Sequence, residues 1–297
     1  MCRLLGFRSN IPLPLAYPLL EAPNALIRQS KKDSRGINHP DGWGIGYYQN
    51  GELAVHKNVA PAYEDAAFRE RARQLSAAHA IAHVRAASVG NITLQNAHPF
   101  RYQNWLWAHN GTVRPFDDIY QQFIKQIDPK FLARRQGQTD SEMCFLLFLT
   151  ELAKHAPADL NRPSPELAVE SLRRTVQQIL AMTKSFILPK PSALTFLATN
   201  GEMLLAHRYV TTLFTLQKNS SAGDWLAPVP PEEQDSFRMT ILASEPLNDE
   251  SWQEIPNGHA VVINKSSDMQ IVDFAVDGPH SAQSTIPTIV TEKLSKI

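Results

Sequence analysis

Four residues of this chain have side chains suited to acyl-transfer chemistry. Cys2 follows the initiator methionine directly, and a side chain that small permits Met1 to be trimmed. Trimming leaves a thiol and a free α-amine on one residue. The reference pKa of an α-amine is about 7.7–8.0 and that of a cysteine thiol about 8.5, so near neutral pH the neutral amine can take the thiol proton, directly or through a water. Nucleophile and base then come from one residue, with no histidine required. In Ala108-His109-Asn110-Gly111-Thr112 an amide side chain and a glycine N–H can point into one space as an oxyanion hole. Loss of one such preorganised donor costs acyl transfer about 10²–10³ in rate. Arg85 ends a strand-like run and Asp140 opens a helical one. A guanidinium pairs bidentately with an α-carboxylate and an aspartate accepts from an α-ammonium, so together the two select a free amino-acid head. Each feature also has an ordinary structural reading: a chance residue two, a plain Asn-Gly turn, a solvated arginine, a helix-capping aspartate.

The elements that must position these residues follow from periodicity. Residues 3–7 read as a short apolar strand pinning the terminus, and the Pro-punctuated stretch 11–30 as one or two short helices. Strand-like runs at 44–48 and 52–57 flank Gln49-Asn50-Gly51, a hairpin signal. A helix is expected over 62–77, strands over 78–84 and 105–109, and a loop over 90–101. Helices follow at 116–126, 140–154 and 165–182, the second opened by Thr139 or Asp140 as N-cap and Glu142 in its acidic first turn. Strands return at 193–198, 203–207, 211–216, 238–242 and 260–263. Strands, then helices, then strands again point to a layered α+β fold. Residues 2–275 read as one domain and 276–297 as a tail carrying little core.

Composition narrows the function classes. At 297 residues with 43% hydrophobic residues, the chain can bury a sizeable core. Lys plus Arg equals Asp plus Glu at 29 each, so no long-range field draws nucleic acid or an anionic membrane. A small-molecule partner is expected. No apolar run approaches the roughly 20 residues that span a bilayer, and the N-terminus lacks the plan of a secretory signal, so a cytoplasmic location is expected. There the two cysteines, Cys2 and Cys144, remain thiols. Cys144 falls on an apolar helix face and reads as a small buried hydrophobe.

Two rival chemistries fail on spacing. His79 and His83 are four apart, but no Glu lies between them and their segment reads as a strand, so no metal site is expected. Gly42-Trp43-Gly44-Ile45-Gly46 lacks the full nucleotide-loop spacing before a helix, and no cofactor is expected. Those glycines read as the entry to a strand.

The whole arrangement resembles the class II glutamine amidotransferases. The matching residues are Met1-Cys2, Asp41-Gly42-Trp43-Gly44, His83-Val84-Arg85-Ala86, Asn96-Ala97-His98-Pro99-Phe100, His109-Asn110-Gly111 and Thr139-Asp140-Ser141-Glu142. A weaker likeness continues through Ala243-Ser244-Glu245-Pro246-Leu247 and from Trp252 to Ile263. The resemblance implies an N-terminal-nucleophile hydrolase fold, a four-layer αββα sandwich of two antiparallel sheets. It also implies Cys2 as nucleophile, Asn110 and Gly111 as oxyanion hole, Arg85 binding the glutamyl α-carboxylate, Asp140 binding its α-amine, and His98 and Trp43 shaping the pocket wall. Here Ala86-Ala87-Ser88 follows the arginine, where larger members often have an aromatic residue and Thr-His, so the loop over the substrate is expected to differ. The implied reaction is cleavage of a γ-glutamyl amide through a thioester. The chain resembles stand-alone members with no attached synthase. It is expected either to act on glutamine and feed ammonia to a separate synthase subunit, or to hydrolyse γ-glutamyl peptides or thiol compounds alone. A non-enzymatic, partner-binding relative is a third reading, against which the intact Cys2, Arg85, Asn110, Gly111 and Asp140 argue.

Overall fold

Alternation along the first strand sets the architecture. In β1 (Arg3–Pro14), Leu5 and Phe7 join one apolar cluster and Leu4 another. A Cβ on Gly6 would stand 3.2 Å from Leu197, a residue of the facing sheet. Even-numbered residues of this strand therefore look inward between two sheets, and the alternation carried back one step places Cys2 on the same inner face. This computed structural model describes residues 2–156, 159–220, 225 and 227–276. Met1 and nearly all of the expected tail, residues 277–297, lie outside the described residues.

After β1 come a π-helical turn at Tyr17–Glu21 and α1 (Leu26–Lys31), then the hairpin β2 (Trp43–Gln49) and β3 (Glu52–Asn58). Next are α2 (Ala66–Gln74), β4 (Ser76–Val84), β5 (Phe100–Tyr102) and β6 (Trp105–Thr112). Four helices follow: α3 (Phe116–Gln126), α4 (Pro129–Leu132), α5 (Asp140–His155) and α6 (Pro165–Thr183). The chain then returns to strand in β7 (Ala193–Thr199), β8 (Leu204–His207), β9 (Phe214–Asn219), β10 (Arg238–Ala243), β11 (Gln253–Glu254), β12 (His259–Ile263) and β13 (Met269–Asp273).

Among the described residues one sheet runs β11-β9-β10-β1-β4-β2-β3 and the other β13-β12-β8-β7-β6-β5, with antiparallel pairing throughout. α5 and α6 cover the outer face of the second sheet, where Trp105, Trp107 and Phe196 meet Phe145, Phe148 and Val176. α1 and α2 cover the outer face of the first, with Leu26 and Phe68 against Trp43 and Phe7. Leu4, Ile81, Leu106, Leu197 and Leu242 fill the layer between the sheets. The result is the four-layer αββα sandwich. β7 is buried along its whole length, which is why it reads as an apolar run without alternation. The first thirteen residues of α5 are buried as well, and a helix apolar on nearly all sides belongs inside a layered core.

Several boundaries differ from the sequence expectation. The helix expected from 62 starts at Ala66 because the Asp65 side chain accepts the Ala67 N–H at 2.9 Å and caps it there. The stretch expected as loop over 90–101 holds a 3-10 turn, Leu94–Asn96, and the start of β5.

Candidate active site

Cys2 sits at the inner end of β1, 7% exposed. The Ala86 N–H donates to its Sγ at 3.4 Å, and the thiol lies 3.5 Å from the Ala86 carbonyl oxygen. Burial pushes the thiol pKa up; the Ala86 N–H and the Arg85 guanidinium oppose that rise, and Asp140 adds to it. The resting thiol therefore keeps its proton, and a base must remove it before attack. The next residue fixes the backbone. Arg3 Nη1 donates to the Cys2 carbonyl at 2.9 Å while Nη2 pairs with Asp33 and, at 2.7 Å, with Glu245. Burial alone would raise the Asp33 carboxyl, but the Ile37 N–H, Arg3 and the Arg35 N–H hold it below its ordinary value.

Arg85 follows the last residue of β4 and is 2% exposed. Its Nη1 donates to the Asn91 carbonyl at 3.1 Å and its Nη2 to Val89 at 2.9 Å and Gly90 at 3.4 Å. Asp140, also 2% exposed, begins α5. One of its oxygens accepts the Val113 N–H at 2.7 Å and the other the Ser141 N–H at 2.9 Å. A carboxylate has about four acceptor positions, so capacity for an ammonium remains. Neither residue has an ion-pair partner within 4.0 Å among the described residues. Both act electrostatically on the Cys2 thiol. Two buried, opposite charges with no protein counter-ion suit a zwitterionic ligand that pairs with both.

On β6, Leu106 and Ala108 belong to the inter-sheet core while Trp105 and Trp107 face the helices, so Asn110 points inward on the same side as Cys2. Its Nδ2 lies 3.3 Å from Ser244 Oγ. Gly111 allows close backbone approach: a Cβ there would stand 1.9 Å from the Ala193 carbonyl oxygen. Beside it, burial lowers the His109 pKa. The neutral ring donates from Nε2 to the Ala193 carbonyl at 2.8 Å, which leaves Nδ1 to accept from the Ser141 hydroxyl at 2.9 Å. That bridge ties β6 to the start of α5 and so to Asp140.

The two expected wall residues differ in placement. His98 lies inward, its ring 4.2 Å from that of His83, two positions before Arg85 on β4. Burial drives both rings well below the ordinary histidine pKa, and both are neutral. Trp43 does not reach this space. It faces the outer helical layer, its Nε1 donating to Asp65 at 2.8 Å and its ring edge-on to Phe68. The cause is strand parity, because Gly44 and Gly46 occupy the inward positions of β2. Among the described residues no group of three or more His, Cys, Asp or Glu can hold a metal ion. His79 contacts Arg8 instead. A cavity of about 550 Å³ lined by Arg114, Gln177, Phe186, Ser192 and Tyr209 does not include Cys2.

Some participants were not singled out from sequence. Asp41 accepts the Ala87 N–H at 2.7 Å, and the Ser88 hydroxyl meets that of Thr112 at 2.8 Å, so the segment after Arg85 is tied at two points. Ser244 bonds both Asn110 and the Leu4 N–H. Asp41 and Ser244 lie within the motifs that carry the resemblance, and that was their only signal.

Comparison with known proteins adds five findings. The family model described as class-II glutamine amidotransferases matches residues 1–287. The "Probable glutamine amidotransferase DUG3" of Saccharomyces cerevisiae is 29% identical over 90% of this chain and 83% of its own length. The γ-glutamyl-hercynylcysteine sulfoxide hydrolase of Mycobacterium tuberculosis is 24% identical over 89% of this chain and 94% of its own. Among solved structures, a glutamine aminotransferase class-II domain protein from Silicibacter pomeroyi superposes with a TM-score of 0.63 at 21% identity, covering 92% of this chain and all of that one. The glutamine phosphoribosylpyrophosphate amidotransferase of B. subtilis gives 0.58 at 17% identity, covering 93% of this chain and 50% of that one. These two likenesses concern the fold.

Proposed function

The chain belongs to the class II glutamine amidotransferases, and from that premise we propose that it cleaves a γ-glutamyl amide through a thioester on Cys2. Loss of Met1 frees the α-amine, which takes the thiol proton. The thiolate attacks the γ-carbonyl carbon, and the tetrahedral oxyanion is held by the Asn110 amide and the Gly111 N–H. Collapse breaks the C–N bond, and the leaving amine takes its proton from the Cys2 α-ammonium. Water then attacks the thioester, giving glutamate and the free thiol. Arg85 receives the substrate α-carboxylate and Asp140 its α-ammonium.

The observation that carries this reading is the meeting of the Cys2 thiol with two buried, oppositely charged residues that have no ion-pair partner within 4.0 Å among the described residues. That pairing specifies the glutamyl head and leaves the other side of the amide open. With glutamine as substrate, the ammonia would go to a separate synthase subunit. With a γ-glutamyl peptide or thiol compound, the protein would act alone, a reading favoured by the likeness to a named γ-glutamyl hydrolase across 94% of its length. Glutamate release from glutamine and from a panel of γ-glutamyl peptides, by the purified protein and its Cys2→Ala variant, tests both. Release is expected from the unaltered protein alone. A preference for peptides selects the hydrolase, and a preference for glutamine selects the ammonia donor. Equal release by Cys2→Ala would overturn the scheme.

A further inference from the structure

Asn110 has one end of its amide bonded and the other orphaned. Nδ2 is 3.3 Å from Ser244 Oγ, and Oδ1 is buried with no hydrogen-bond partner among the described residues. Ser244 Oγ already accepts the Leu4 N–H at 2.9 Å, while its own proton has no acceptor among the described residues in that arrangement. A hydroxyl offers one donor and two acceptor positions. The oxygen and nitrogen ends of an amide have nearly the same shape, so the network decides which end faces which partner. Turned end for end, Asn110 presents Oδ1 to the Ser244 hydroxyl. The hydroxyl then donates, the orphaned acceptor is satisfied, and Nδ2 keeps both hydrogens for the inter-sheet layer that holds Cys2.

We propose that Ser244 is a positioning residue that commits Asn110 to the role of oxyanion donor. The Leu4 N–H orients the Ser244 hydroxyl, the hydroxyl holds the amide oxygen, and the amide nitrogen is left for the reacting carbonyl. The same contact joins the end of β10, the second residue after the nucleophile and the inner face of β6, so donor and thiol are fixed to one point. This inference rests on the reading of Asn110 as an oxyanion donor, and the test separates the two.

A double-mutant cycle over Ser244→Ala and Asn110→Ala, read as kcat and KM for a γ-glutamyl substrate, supplies that test. Ser244→Ala should lower kcat by about tenfold or more with KM within about twofold, and Ser244→Thr, which keeps the hydroxyl, should recover most of the loss. In the Asn110→Ala background, Ser244→Ala should cost less than about twofold, because there is no amide left to hold. An unchanged kcat in Ser244→Ala, or the same loss in both backgrounds, would overturn the positioning role and leave Ser244 a structural partner of Leu4. An unchanged kcat in Asn110→Ala would overturn the oxyanion reading itself. If Ser244→Ala does not fold, Ser244→Cys, a weak donor of similar volume, takes its place in the cycle.

Discussion

Arg85 uses three N–H donors on the carbonyls of Val89, Gly90 and Asn91, and a guanidinium has five. It therefore organises the loop beside the site while two donors remain for a ligand carboxylate. Arg85→Lys keeps a charge but loses the planar fork, so KM for a γ-glutamyl substrate should rise by about 10–100-fold, as expected for a charged hydrogen bond worth about 1.5–3 kcal/mol. Steady-state kinetics on a matched substrate lacking the α-carboxylate provides the control. The variant and the unaltered protein should differ little there, and an equal loss on both substrates would make Arg85 a loop anchor only. The types of Cys2, Arg85, Asn110 and Asp140 were legible in the sequence because thiol, guanidinium, amide and carboxylate each suggest a chemistry. The loop contacts of Arg85 were not, since its acceptors are backbone carbonyls, which every residue carries. Ser244 was hidden for a related reason: a buried serine looks like any other until its partners are known.

At the scale of elements, the hairpin of β2 and β3 and the helices α3, α5 and α6 were legible, because an Asn-Gly turn and strong apolar periodicity report them locally. β5, α4, β11 and β13 were not. Each has five residues or fewer, and β13 is partly exposed and takes its conformation from pairing with β12. The glycines of β2 were recognised as strand entry, but their cause lies in another segment. A Cβ on Gly44 would stand 1.9 Å from the His98 carbonyl oxygen, and one on Gly46 would stand 2.6 Å from Leu106. The sheets approach closely at this edge, bringing His98 against His83 just before Arg85. Gly44→Ala should therefore destabilise the fold by about 1–3 kcal/mol, the usual cost of overpacking, or more because the obstacle is backbone. Urea unfolding measures this, and an unchanged midpoint would show that β2 can move away freely. Parity also explains Trp43: with small residues on the inner face of β2, its indole belongs to the outer core.

Over the whole molecule, two sheets face each other, and the candidate site gathers at the end of the layer between them where β1 begins. Residue 2 immediately precedes β1, residues 85 and 244 immediately follow β4 and β10, and residues 110 and 140 lie in β6 and α5, so no local window of sequence contains the site. Its order along the chain is what made the family recognisable. Among the described residues no helix is long and apolar enough to cross a membrane, in line with the lack of a long apolar run in the sequence. The leaving group was not legible there, because the roles proposed for Arg85 and Asp140 address only the glutamyl head. The central claim is that the glutamyl group rests on Cys2. Mixing the protein with a γ-glutamyl amide, quenching in acid within the first turnover and mapping the peptides by mass spectrometry reads this directly. The N-terminal peptide should begin at Cys2 and carry one glutamyl group that hydroxylamine removes. Steady turnover with no adduct on that peptide, or with the glutamyl group on another residue, would contradict it.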